Sequence, residues 1–598
     1  MIEVIRDRPG TSSGIEVAVF YQVTMPCPET HLFEVSLRVA HWTQSILDLK
    51  LPVWTPGSYL VREYARHLQD FSARTPDGQM LAWHKQCKNH WQVETDSCSE
   101  VEVFYRIYAN ELSVRTNHLD TTHGYWNGAA LFCYIPGLEK KPLRVTAIPP
   151  CPEWVVTTSL PVVPSQPNTF QAEDYDMLVD SPFEVGCHSL YQFEVHGKSH
   201  ELAIWGKGNV DPQQLIRDIQ KVIAVEAEIF GELPYERYVF LLHLSSQGFG
   251  GLEHKYSCSL NYPRFNFRSK DKYYRFVSLV AHEFFHLWNV KRIRPKALEV
   301  FDYDRENYTP SLWFSEGATS YYDSVIPFRC GVYDAKVLLE SLGKEINRFL
   351  NALGRQIQPL SESSFDAWIK LYRPNENSGN SQISYYLKGE LVTFLLDLHI
   401  RAGHRNRRSF DDVMRRMWRQ FGQREIGFTP AQLQETIEEV AGGSLQAFFA
   451  SYLHGTEELP FDEYLAPFGL KLRCDRTHIS NKVPYLGLQS KTENGREVVK
   501  FVVSRSPAQQ AGIDAGDEVL AIDGIRVAPG QLRDRIQDYR SGDTIQMAVF
   551  HQDQLRICSV TLAEPRCDRY QIVAVDNPSP AQEDNFQGWL GVSLTAIQ

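Results

Sequence analysis

Nowhere in the 598 residues is there an uninterrupted apolar run of eighteen or more, so no membrane-crossing helix is expected. The amino-terminal stretch carries Glu3, Arg6, Asp7, Arg8 and Glu16 and no apolar centre, which argues against a secretory leader. The 11 cysteines are odd in number, scattered and without a Cys-x-x-Cys pair, so neither a disulfide framework nor thiolate-held zinc is indicated. A reducing, cytoplasmic location is expected. Basic charge is in deficit: 61 Lys and Arg stand against 73 Asp and Glu, and the resulting −12 repels phosphate backbones. Neither nucleic acid nor membrane is therefore an expected partner. No fixed-period repeat and no low-complexity tract occurs, which sets aside solenoids and disordered arrays.

What is there suits several packed cores. Hydrophobic residues at 43% and charged residues at 22% leave enough apolar side chain to bury and exclude global disorder. The length divides into three or four units at the usual domain size of roughly 100–250 residues. Short alternating segments such as Glu16–Val23, broken by Pro and Gly, predict an all-β, sandwich-like domain over residues 1–205. Within it, Leu51–Tyr59 holds two prolines and a glycine and reads as a loop with ordinary turn chemistry. Asn110, Arg115 and Asn127 lie in a polar and aromatic stretch, and satisfied loop residues are the preferred reading over groups that close on a substrate. From Asp211-Pro212 the apolar spacing turns helical and stays so to about Phe468, giving a mainly helical unit over 206–468. Residues 469–570 return to short strands as a small β module, and 571–598 read as a tail with a docking anchor at Trp589-Leu-Gly-Val592. The fold class is multidomain α+β.

One segment carries chemistry. His282-Glu-Phe-Phe-His286 sets two imidazoles four residues apart, on one face of a helix at 3.6 residues per turn. Catalytic zinc takes three protein ligands and keeps a place for water, and two His with one Glu is such a set. Glu316 is the expected third ligand. It follows His286 after 29 intervening residues, enough to leave one helix and return on another, in a helical stretch opened by Pro310-Ser311 and expected to end before Pro327. Glu283 points about 100° around the helix from His282 and is placed as a base, not a ligand. The flanking Phe276, Val277, Leu279, Val280, Phe284, Phe285 and Leu287 make the helix apolar, so these polar groups would be buried and need a partner such as a metal.

With Trp54–Tyr59, Gly250-Gly-Leu-Glu-His254, His282–His286, Trp313–Gly317 and Tyr386-Leu-Lys-Gly389 in place, the chain resembles the PDZ-containing glycyl aminopeptidase family of thermolysin-like zinc peptidases over nearly its whole length. The resemblance implies one Zn2+ per chain, peptide substrates, and a preference for small first residues such as Gly or Ala. It implies that Glu253, with Gly250 and Gly251 on the same edge strand, holds the free α-ammonium of the substrate, and that Tyr386 donates to the tetrahedral oxyanion. The sequence departs from better-known aminopeptidases in having His254 where they carry Asn. The C-terminal module resembles a PDZ domain whose carboxylate loop would be Tyr485, Leu486, Gly487 and Leu488, with a C-terminal peptide as ligand. Two other readings stand beside this one: an endopeptidase fed by the PDZ module, and a scaffold with structural zinc.

Overall fold

The computed structural model describes residues 18–96, 98–475, 483–566 and 569–597; Glu16 and Val17 of the first predicted strand lie outside them. Strict alternation in Leu32–Ala40 buries Phe33, Val35, Leu37 and Val39 on one face, the signature of a half-buried strand. This strand pairs antiparallel with Ala18–Thr24 on one side and Glu100–Tyr108 on the other, inside a six-stranded sheet. A three-stranded and a four-stranded sheet complete the β-rich N-terminal unit, packed around Trp91, Tyr105, Trp126 and Phe183.

Leu51–Tyr59 is a loop, as its prolines require, but turn chemistry does not describe its role. Trp54 donates through Nε1 to the carbonyl of Asp302 at 2.8 Å, and the rings of Trp54 and Tyr59 lie 5.2 and 5.7 Å from that of Trp368. The loop is part of the neighbouring unit's core.

That unit is built on a five-stranded sheet of β1 (Ser189–Val195), β2 (Lys198–Trp205), β3 (Arg237–Ser245), β4 (Gly250–Glu253) and β5 (Ser257–Pro263), in spatial order β1-β2-β3-β5-β4. The division expected after residue 205 thus falls between strands of one sheet. β2, β3 and β5 run parallel, while β1 and β4 are antiparallel edges. Between β2 and β3 the chain crosses over through helix α1 (Pro212–Phe230), whose first free amides are capped by the Asp211 carboxylate and whose end is set by Gly231 in the left-handed region. Helix α2 (Lys270–Phe285) follows β5, with all seven predicted apolar flanking residues buried on it or just past its end. A π-helical turn, Trp313–Ala318, then runs directly into α3 (Thr319–Arg329). The helix does not stop before Pro327 but carries it in its last turn, where the lost amide costs one bond close to an end that frays anyway. Phe285 of α2 stacks on Tyr322 of α3 at 4.4 Å, which fixes the two helices face to face.

Helix α4 (Tyr385–His404) presses against the π-turn through glycines: a Cβ on Gly317 would sit 2.5 Å from Gly389 Cα. Only paired glycines allow this approach. Leu470–Cys474 pairs with Tyr570–Ala574, and helix α5 (Pro580–Leu590) brings Trp589 onto Phe394 and Phe468, the expected anchor. The PDZ-like sheet, with its own core around Val499, Ile545 and Met547, is inserted between those two strands. Among the described residues nine cysteines are free thiols and Cys474 is disulfide-bonded, a single bridge and not a framework. No helix among the described residues is long and apolar enough to cross a membrane.

Candidate active site

Helix α2 ends at His286, its C-cap residue, so both imidazoles of the His282–His286 pair lie on the last turn, facing the π-turn that carries Glu316. Their Nε2 atoms stand 3.4 and 3.2 Å from Glu316 Oε2. Ligand bonds of about 2.0–2.1 Å in tetrahedral array put donor atoms about 3.3 Å apart, so this spacing fits a single zinc ion. The remote nitrogens are held as metal-bound histidines require. His282 Nδ1 bonds Asp323 Oδ2 at 2.8 Å, and His286 Nδ1 bonds the Asn289 carbonyl at 2.9 Å. Asn289 in turn donates to the carbonyls of Phe314 and Ser315, tying the loop after α2 to the Glu316 turn. The next residue, Val290, has φ of 91°, a conformation a β-branched side chain adopts only under constraint. Burial pushes the Glu316 carboxyl up, but His286 and the hydrogen bonds from both imidazoles outweigh it and hold it at about 2.

Glu283 is buried, and its Oε2 has no hydrogen-bond partner. Burial lifts its carboxyl to about 7, against the pull of His282 and His286 and with help from Glu253 and Glu316. Edge strand β4 closes over it: a Cβ on Gly251 would fall 2.2 Å from Glu283 Cδ. Two residues on, Glu253 projects from the same face of the strand, and its Oε1 is also buried without a partner. One carboxylate oxygen of each and a nitrogen of His286 lie within 4.8 Å of one another. His254, the residue that departs from the family pattern, turns away to Asp180 at 3.1 Å.

The structure also brings Tyr386 here. It lines the cleft with His282 and Glu283, its ring 6.3 Å from that of His282, while Tyr385 is fully buried behind it. Burial and the nearby Glu316 keep the Tyr386 phenol protonated well beyond its ordinary range. Several neighbours have places here that their sequence did not give. Tyr372 reaches both phenols, at 3.0 Å from Tyr386 and 3.2 Å from Tyr385. Tyr59 stands close enough to Glu316 and Glu253 for their charges, with burial, to raise its phenol. Gly57 abuts Glu253, whose Oε1 would be 2.5 Å from any Cβ there. Arg115 lines the cleft, contrary to the loop reading, whereas Asn110 is exposed and Asn127 caps its own short turn. Asp323 had a signal: it lies seven residues after Glu316, two turns on along one helical face.

A second polar cluster, His123, Glu184 and His243, is buried between the N-terminal unit and β3. Glu184 accepts from both imidazoles at 2.8 Å, the length of a hydrogen bond and shorter than neighbouring donors on one ion would be. In the PDZ-like module, Gly487 takes φ of 83° and packs on Ser506, and Leu488 opens the edge strand Leu488–Glu493.

A two-histidine, one-glutamate centre beside an unpaired buried carboxylate, on a helix pair under a mixed sheet, defines a peptidase of the metal-dependent kind. Comparison with known proteins agrees. Residues 20–187 match the Peptidase M61 N-terminal domain, residues 275–392 the M61 glycyl aminopeptidase domain and residues 484–562 a PDZ domain. The crystal structure of an aminopeptidase N family protein from Idiomarina loihiensis is 32% identical, with 96% of this chain and 100% of that one covered and a TM-score of 0.89. An M1 zinc metallopeptidase from Deinococcus radiodurans is 15% identical, covering 75% of this chain and 96% of that one, at a TM-score of 0.46. No curated protein sequence matches. The chain is a peptidase and belongs to the PDZ-containing M61 glycyl aminopeptidase family.

Proposed function

We propose that the protein is a zinc aminopeptidase that removes small N-terminal residues, Gly or Ala, from peptides. His282, His286 and Glu316 would hold one Zn2+ per chain, which when bound would acidify water and act as a Lewis acid toward a carbonyl. Glu283 accepts the proton of the attacking water and delivers it to the leaving amine, a task suited to a buried carboxylate whose Oε2 has no partner within the chain. Tyr386 donates to the oxygen on which negative charge develops. Glu253 takes the substrate's α-ammonium, so that only the first peptide bond reaches Glu283, and the peptide lies along Gly250 and Gly251. The PDZ-like loop Tyr485–Leu488 would receive a peptide C terminus.

The carrying observation is the convergence of two Nε2 atoms and one carboxylate oxygen at metal-ligand spacing, beside the unpartnered oxygens of Glu283 and Glu253. Glu283→Gln should keep its zinc and lose at least about a hundredfold in kcat. A zinc-replete variant with wild-type turnover would end this assignment. N-acetylation of a glycyl peptide should abolish cleavage; acetylated peptides cut at the free-amine rate would make the enzyme an endopeptidase instead.

A further inference from the structure

Arg115 is a cation in the cleft that Glu283 and Glu253 attract from a distance, but no carboxylate among the described residues pairs with it directly. Its backbone is firmly placed: Tyr64 Oη donates to its carbonyl at 2.8 Å, its own amide donates to Ser113 Oγ at 3.2 Å, and Tyr125 Oη donates to the Val114 carbonyl. The guanidinium, by contrast, makes one hydrogen bond, from Nη2 to the Gly251 carbonyl at 3.2 Å. Its Nε is buried and unpaired, and none of the ion pairs among the described residues includes it. A planar fork of five donors with one acceptor, facing a cleft of about 650 Å³, is built to meet an anion from outside the chain.

Edge strand β4 says which anion. Along it, Glu253 comes first as the proposed ammonium anchor, Gly251 lies against Glu283, and Gly250 lies beside Arg115, whose Nη1 is 3.9 Å from where its Cβ would be. An extended chain advances about 3.3 Å per residue, so Glu253 and the Gly251–Gly250 end of the strand are about two to three residues apart. That is the reach of a dipeptide from ammonium to carboxylate. In a longer peptide the same position holds a neutral carbonyl, a weaker partner for a guanidinium than a carboxylate, which can pair in bidentate fashion.

We propose that Arg115 binds the free carboxylate of the residue after the scissile bond, making dipeptides the favoured substrate class. The inference rests on the aminopeptidase reading above, since it takes Glu253 as the other end of the ruler.

The test compares Gly-Ala with Gly-Ala amide, using the zinc-loaded full chain. The wild type should prefer the free acid by at least tenfold in kcat/KM, chiefly through KM, and Gly-Ala-Ala should fall near the amide. In Arg115→Gln the acid-to-amide ratio should collapse towards one, with Arg115→Lys in between. The ratio is internal to each protein, so partial loss of fold does not counterfeit it. A wild-type ratio near one overturns the proposal without any variant, and so does a preference that survives Arg115→Gln. Equal losses on acid and amide would make Arg115 a group acting at the reacting carbonyl. N-acetyl-Gly-Ala, run alongside, reports on the aminopeptidase reading alone: its cleavage would refute that reading whatever the acid-to-amide ratio.

Discussion

Gly251→Ala isolates the geometry of the base from everything else at the site. The backbone of Gly251 lies outside the left-handed region, so alanine can adopt it without strain, and the chain's unfolded state even loses a little entropy. The single new methyl would stand 2.2 Å from Glu283 Cδ and 2.3 Å from its Cγ. Non-bonded carbons rest at about 3.5–4.0 Å, so either the carboxylate or the edge strand must retreat by more than 1 Å. A displacement of that size in a reacting group costs about a hundredfold in rate, or roughly 2.7 kcal/mol. The three atoms nearest the new methyl all belong to Glu283, not to a metal ligand, so zinc content should stay near one per chain. The assay is kcat/KM on a glycyl substrate together with zinc analysis of the same preparation. A zinc-replete Gly251→Ala enzyme within threefold of wild type would refute the claim that β4 and Glu283 share this space.

Two further outcomes follow from groups behind the site. Asp323→Asn keeps an acceptor for His282 Nδ1 but removes the charge, and zinc affinity measured by competition with a chelator should fall by about 10- to 100-fold; unchanged affinity would show that Asp323 does not tune the ligand. Lys388 of α4 is buried, and desolvation lowers its ammonium to about 8. Since an unfolded lysine titrates near 10.4, the unfolded chain binds more protons between those values, and stability should rise with pH across that window. Below pH 8 the cost of the buried charge is constant, so Lys388→Met should stabilise by roughly 3 kcal/mol at pH 7, with the gain fading towards pH 10. Denaturation midpoints at both pH values check this, and a pH-independent gain would sink the argument.

The His282–Glu283–His286 triplet and Glu316 could be read from the sequence because helical periodicity is local: four residues make one turn, and the apolar flank declares which face is inside. Asp323 was legible in principle, since it lies seven residues after Glu316 inside the helix expected to run up to Pro327. The places of Gly57, Tyr59 and Arg115 were not legible. They come from the N-terminal unit, Gly57 and Tyr59 beside Glu253 and Arg115 into the cleft, by packing across more than 130 residues of sequence, as in the Arg115 to Gly251 bond, and no short-range pattern encodes such a meeting. Ser189–Val195 alternates and Lys198–Trp205 is a short run buried from His200 to Ile204, so their patterns gave β structure but not which sheet they join. The glycines of the Trp313–Gly317 and Tyr386–Gly389 stretches gain their meaning only in the fold, where Gly317 and Gly389 let two helices touch.

The twisted backbone at Val290 bears on how the centre comes into being. A left-handed valine persists only where its surroundings overrule it, at a cost of about 1–3 kcal/mol. Here the surroundings are the Asn289 contacts to Phe314, Ser315 and Thr319. The carbonyl that aims His286 is thus tied by protein contacts to the turn that carries Glu316. Uptake of the metal should then resemble filling a mould, with amide hydrogen exchange in residues 286–293 nearly the same before and after loading.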